Sequence, residues 1–113
     1  MFTQLDWVVR EFGDKLGFIP HPGTFNLSMT EDRWAEAGAR IRQATGIAID
    51  PPAGFCAAKC LEVVLNERIK GAVVLPKVAD YPSNKLEIIA PVCVRRELNL
   101  HDGDSVTLRI HIK

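Results

Sequence analysis

The stretch Pro22-Gly23-Thr24-Phe25-Asn26-Leu27 places a hydroxyl and an amide oxygen two residues apart, just after a turn. On a strand that spacing puts Thr24 and Asn26 on one face. Neutral hard oxygens of this kind can share a Mg2+ ion with phosphate oxygens and water, because magnesium gives up its hydration reluctantly. Spacing alone favours a plainer reading, since Pro-Gly-Thr is a turn and Thr and Asn are common in turns and strands. A second chemistry-bearing position is Glu87, set in Leu86-Glu87-Ile88-Ile89-Ala90-Pro91. A carboxylate in an apolar run is costly to bury unless a partner or ligand meets it. The alternative is a side chain that faces solvent from an edge strand. A third position is Arg95, which follows Val92-Cys93-Val94. A guanidinium suits a phosphate, although Arg95 and Arg96 on a surface helix would also be content in water.

The elements that must position these residues can be read from periodicity. Leu5, Val8, Val9, Phe12 and Leu16 recur at helical spacing from Thr3 to Leu16, and Gly17 fits a C-terminal stop. Thr24 to Met29 alternates as a short strand. Thr30-Glu31-Asp32 has the look of a helix start, with Thr30 or Ser28 as cap, and Trp34, Ala37 and Ile41 continue it towards Thr45-Gly46. Ile47 to Ile49 reads as a strand before the turn Asp50 to Gly54. Phe55 to Leu65 and Ile69 to Leu75 are apolar and β-branched, with Asn66-Glu67-Arg68 as a hairpin turn. Leu86 to Ala90 is another strand, Pro91 opens a short helix over Val92 to Leu98, and Asp102-Gly103-Asp104 turns into a last strand, Val106 to Ile112. About five short strands with few helices predict a mainly β protein, a small closed barrel.

The bulk composition narrows the function. A chain of 113 residues, 47% hydrophobic and 25% charged, fits one domain, residues 1–113, with a core of its own. Zero formal net charge argues against a non-specific nucleic-acid or anionic-membrane surface. Ala72 to Pro76 and Ile88 to Val94 are far too short to span a bilayer, and acidic and basic residues interrupt the N-terminal stretch, so no signal peptide is read and a cytoplasmic address is the expectation. The three cysteines, Cys56, Cys60 and Cys93, have no Cys-x-x-Cys spacing and read as small buried hydrophobes. They do not combine with His21, His101 or His111 into a Cys/His metal motif.

Together, Gly23-Thr24-Phe25-Asn26 and the stretch from Leu86 to Arg95 resemble the archaeal CTP-dependent riboflavin kinases, which phosphorylate riboflavin to FMN. The resemblance runs from about Trp7 to Ile110. It implies a six-stranded cradle-loop barrel with a few short helices. It also implies Mg2+ as cofactor, held by Thr24 and Asn26 in a motif where the family has Gly-Thr-Leu-Asn. Glu87 would lie against riboflavin or FMN and accept hydrogen bonds from a ring N–H or a ribityl hydroxyl. Val92, Cys93, Val94 and Arg95 would hold the cytidine nucleotide, the backbone reading the base and Arg95 meeting phosphate. No catalytic base is implied. The pattern Arg95-x-x-Leu98-x-Leu100-x-x-Gly103-Asp104-x-Val106 also recurs in swapped-hairpin transcription regulators, and it speaks for the barrel rather than the chemistry.

Two departures stand out. The family's glycine-rich loop, which offers backbone N–H groups to the phosphates ahead of the first helix, has no counterpart in this sequence; Gly13, Gly17 and Gly23 are too scattered. Where the family often has Thr-x-Tyr against the flavin, the run here is Ala79-Asp80-Tyr81. A start further upstream, a strand supplied by a partner, or a retained fold without the kinase reaction would each account for the first. The alternatives to the kinase are therefore an inactive flavin- or nucleotide-binding module and, disfavoured by the neutral charge, a small-barrel DNA-binding regulator.

Overall fold

A computed structural model describes residues 6–21, 23–28, 34–49, 57–76 and 85–111. In chain order the elements are α1 (Asp6–Leu16), β1 (Phe25–Ser28), α2 (Ala35–Gln43), β2 (Ile47–Ile49), β3 (Ala58–Leu65), β4 (Ile69–Pro76), β5 (Lys85–Ile89), α3 (Val94–Glu97) and β6 (Leu108–Ile110). The strands make one six-stranded sheet in the order β1-β5-β4-β3-β2, with β6 also on β3. Every pairing is antiparallel. The sheet curls as a half-barrel, so the mainly β, small-barrel expectation is borne out.

The two eight-residue strands β3 and β4 are the spine. Their sequences are nearly continuous apolar runs, and the structure buries residues on both of their faces. On the concave face Leu61, Val63, Leu65, Val73 and Leu75 join Leu86, Ile88 and Ala90, with Ile41 of α2 and Val94 of α3 closing over them. On the convex face Ala58, Cys60, Ala72, Val74, Ile49 and Ile89 are covered by Phe12, Leu16 and Phe18. Helix α1 thus packs outside the curl, as its apolar stripe predicts; Leu5 lies outside the described residues. Each fully buried aliphatic or aromatic side chain in these clusters stabilises the fold by about 1.5–3 kcal/mol relative to exposure. Lys15 ties α1 down by donating from Nζ to the Ala48 carbonyl at 2.7 Å and pairing with Glu11 at 3.2 Å.

Local chemistry sets the connections. Arg68 N donates to Leu65 O at 2.9 Å across Asn66 and Glu67, whose φ values are +48° and +61°. Two central residues with positive φ are the geometry that suits the twist of a hairpin. Gly71 sits where β4 runs close to the end of β5: a Cβ there would lie 2.5 Å from the Ile89 carbonyl oxygen. Only glycine allows that approach. Helix α2 carries no side-chain cap at Trp34, and its C-terminal carbonyls of Arg42 and Ala44 accept from Lys59 Nζ of β3. A cation at the negative end of the helix dipole satisfies carbonyls the helix cannot.

Several boundaries differ from the sequence reading. The start at Thr30, the turn Asp50 to Gly54, and Phe55 with Cys56 lie outside the described residues. The last strand begins at Leu108 rather than Val106, because Thr107 N donates to the Asn66 side chain at 2.8 Å instead of a β3 carbonyl. Pro91 does not open α3: Cys93 is still extended, at φ −75° and ψ 104°, and the helix starts at Val94.

Candidate functional site

The site begins with β1. Phe25 and Leu27 pack into the concave core, which leaves Thr24, Asn26 and Ser28 pointing the other way, and Asn26 and Ser28 are exposed. Thr24 Oγ1 donates to Asn26 Oδ1 at 3.3 Å, so the same-face expectation holds and the two oxygens converge. The segment that delivers β1 is pinned by His21 N, which donates to Ala90 O at 2.7 Å. That bond joins the entry to β1 with the exit from β5.

Across that junction lies a cavity of about 310 Å³, lined by His21, Gly23, Thr24, Phe25 and Asn26 on one side and by Ile88, Ala90 and Val92 to Arg95 on the other. Its volume falls at the small end of the range for ligand pockets. All of Thr24, Asn26, Val92, Cys93, Val94 and Arg95 therefore come together. Arg95 lies on α3, and its Nη2 pairs with Asp102 Oδ1. Cys93 is half-buried in the wall.

Glu87 does not line this cavity. It sits directly opposite Asn26 in the β1–β5 ladder and opposite Val74 in the β4–β5 ladder. Opposed residues share a face, with Cβ atoms about 4.5–5.5 Å apart. The solvent-facing edge-strand alternative for Glu87 is thus corrected: β5 is flanked on both sides, and Glu87 is half-buried and paired with Lys85 at 3.1 Å. Asn26 is the hinge of the arrangement, with Glu87 beside it along the sheet and the cavity before it.

The Thr24 and Asn26 oxygens suit a magnesium ion in one respect. Cis ligands on an octahedral ion with bonds of about 2.0–2.1 Å stand roughly 3 Å apart, close to the 3.3 Å between Oγ1 and Oδ1. Both oxygens are neutral, so an ion held there would need its charge balanced by a further, anionic ligand. Among the described residues no three His, Cys, Asp or Glu side chains form a metal-holding group.

Cys60 behaves as the buried hydrophobe the sequence suggests. It is fully buried, and burial pushes its thiol up to about 12, only partly offset by the Lys15 charge. Cys56 lies outside the described residues. Sequence reasoning missed His21, whose place before the Pro-Gly turn was the available signal, and it read Asp102 as turn chemistry alone. No helix among the described residues is long and apolar enough to cross a membrane.

The small barrel with a cleft between β1 and α3 has clear relatives. Residues 1–110 match the family CTP-dep_RFKase, described as "Domain of unknown function DUF120". The riboflavin kinase of Methanobrevibacter smithii is 36% identical over 107 residues, covering 95% of this chain and 86% of that protein. That of Methanothermobacter thermautotrophicus is 36% identical over 100 residues, 88% of this chain and 79% of the relative. The Archaeoglobus fulgidus riboflavin kinase is 34% identical over 113 residues, 96% of this chain, which spans 48% of that longer protein. The chain belongs to the CTP-dependent riboflavin kinase family.

Proposed function

We propose that this chain, as one domain over residues 1–113, transfers the γ-phosphate of CTP to the 5′-hydroxyl of riboflavin, giving FMN. The observation that carries the reading is the cavity itself: it unites Thr24 and Asn26 with Val92 to Arg95 from the far end of the sequence. In this reading the backbone of Val92, Cys93 and Val94 receives the cytosine edge. Arg95 meets the phosphates with charge-assisted hydrogen bonds. Thr24 and Asn26 turn their oxygens towards the triphosphate and hold Mg2+ there. When bound, that ion neutralises charge building on the transferring phosphoryl group. Glu87 accepts hydrogen bonds from the flavin and sets the acceptor hydroxyl next to Asn26. Phosphoryl transfer depends mainly on placing donor and acceptor in line and screening charge; a nucleotide on one side of Asn26 and a flavin on the other meets that need. Family membership and the riboflavin kinase relatives support the same reaction.

The test is FMN formation from riboflavin, followed by chromatography, with CTP and ATP in parallel and with Mg2+ or EDTA. Turnover with CTP that EDTA abolishes is the expected result. Binding of CTP or riboflavin without turnover would replace the kinase by a binding module, and neither binding nor turnover would sink both readings.

A further inference from the structure

The Arg95 guanidinium is positioned by a short self-contained segment. Helix α3 ends with Asn99 in the left-handed region, at φ +52°. Leu100 N donates to Arg95 O at 2.8 Å and Asn99 N to Arg96 O at 3.2 Å. These two bonds are a Schellman closure with asparagine in the usual glycine position. Leu100 then packs on the concave core, which anchors the closure. The next turn is tied twice: His101 N donates to the Asp104 carboxylate at 2.8 Å, and Asp104 N to His101 O at 3.0 Å. Asp102 stands at the apex of that turn, and its carboxylate reaches back to Arg95 Nη2. The backbone of residues 95 to 104 is thus closed on itself, and the side-chain pair completes the ring beside the cavity.

We propose that Asp102 is a positioning residue that aims Arg95 at the phosphates of the bound nucleotide. This rests on the reading of the cavity given above. Arginine has a large rotamer space and five donors. The contact with Asp102 engages Nη2 and leaves the remaining donors for a ligand. The pair's side chains are 59% and 89% exposed, too open to water for the ion pair to matter much to the fold. Its consequence falls on ligand binding instead, where a guanidinium already aimed loses less entropy on meeting phosphate. Asp102 is not a catalytic residue; it acts through Arg95.

Calorimetry with CTP and with cytidine, which lacks phosphates, tests this on the intact chain. Asp102→Asn should weaken CTP binding by about three- to fivefold, the scale of an exposed ion pair. Cytidine binding should be unchanged. The direction is diagnostic, because removing a negative charge near an anion site would otherwise tighten binding. In an Arg95→Gln background, Asp102→Asn should have no further effect, and Asp102→Glu should recover part of the loss. Tighter or unchanged CTP binding in Asp102→Asn, an equal loss for cytidine, or a full loss in the Arg95→Gln background would overturn the positioning role while leaving the nucleotide site standing. Wild-type protein that binds no CTP would overturn the site reading and this inference with it. Thermal unfolding of each variant confirms that the fold is intact.

Discussion

The β3–β4 ladder and the β1–β5 ladder are both antiparallel, yet they are built for opposite purposes. In β3 and β4 residues are buried on both faces, between the concave core and the α1 cover. In β1 the pattern alternates, with Phe25 and Leu27 inward and Asn26 and Ser28 outward, opposite Glu87 and Lys85. The first ladder is mostly buried apolar area, with Lys59, Glu62 and Lys70 as its polar exceptions; the second puts polar groups outward at alternate positions. In the proposed reading, stability and chemistry are thereby separated onto neighbouring parts of one sheet. An outward-facing residue in β1 can change without opening the core, because the core is closed by its neighbours in sequence.

Perturbing each ladder in turn tests that division. The largest effect is expected in the spine: Leu65, fully buried, should cost about 2–5 kcal/mol of stability when cut to alanine, measured by denaturant unfolding. A loss under about 1 kcal/mol would mean that β3–β4 is not the main store of stability. Asn26→Ala should do the reverse. FMN formation should fall on the order of 100-fold or more, as for loss of a metal-orienting group, while unfolding moves by no more than about 0.5 kcal/mol. Equal turnover in both proteins would remove Asn26 from the site. Gly71→Ala comes next, at about 1–3 kcal/mol from crowding against the Ile89 carbonyl. Because Gly71 lies in the spine, nucleotide affinity in the folded fraction should be retained.

The last effect vanishes at neutral pH and appears only in alkaline solution. The Cys60 thiol ionises at 9.0 in its ordinary state and at about 12 in the fold. Below 9.0 it is neutral in both folded and unfolded chains and adds no pH dependence. Between 9.0 and about 12 the unfolded chain loses the proton and the folded one keeps it, so this group's contribution to stability falls by about 1.4 kcal/mol per pH unit. Cys60→Ala lacks that contribution. The stability gap between wild type and Cys60→Ala should therefore narrow as pH rises above 9.0, and a constant gap would contradict the burial of the thiol.

Sequence and structure agree where one signal dominates. The spine was legible because long β-branched runs flank a turn, and α1 because its stripe is regular. The helix at Ala35–Gln43 was legible too, from Ala37 and Ile41 at helical spacing. What was not legible depended on contacts between distant segments. Nothing in Val106-Thr107 announces that the Asn66 amide will take its N–H, and nothing near Glu87 gives its place opposite Asn26. The same holds for the site. Residue types named Thr24, Asn26 and Arg95, but the local geometry comes from contacts such as the His21–Ala90 bond and the Arg95–Asp102 pair.

The register of Phe25 with Ile88 has a consequence in time as well as in space. The β3–β4 hairpin closes through a tight turn, so its contacts are local and form early. Pairing β1 with β5 must first close a loop that contains α2 and the entire hairpin, an entropic cost met only once those elements exist. The cleft is therefore expected to assemble late. Substitutions in β1 should leave the folding rate nearly unchanged and appear in the unfolding rate, with those in the hairpin slowing folding. A nucleotide or flavin that bridges β1 and the β5–α3 corner would then slow the first step of unfolding, and the protein would outlast its own unliganded form by kinetics as much as by equilibrium.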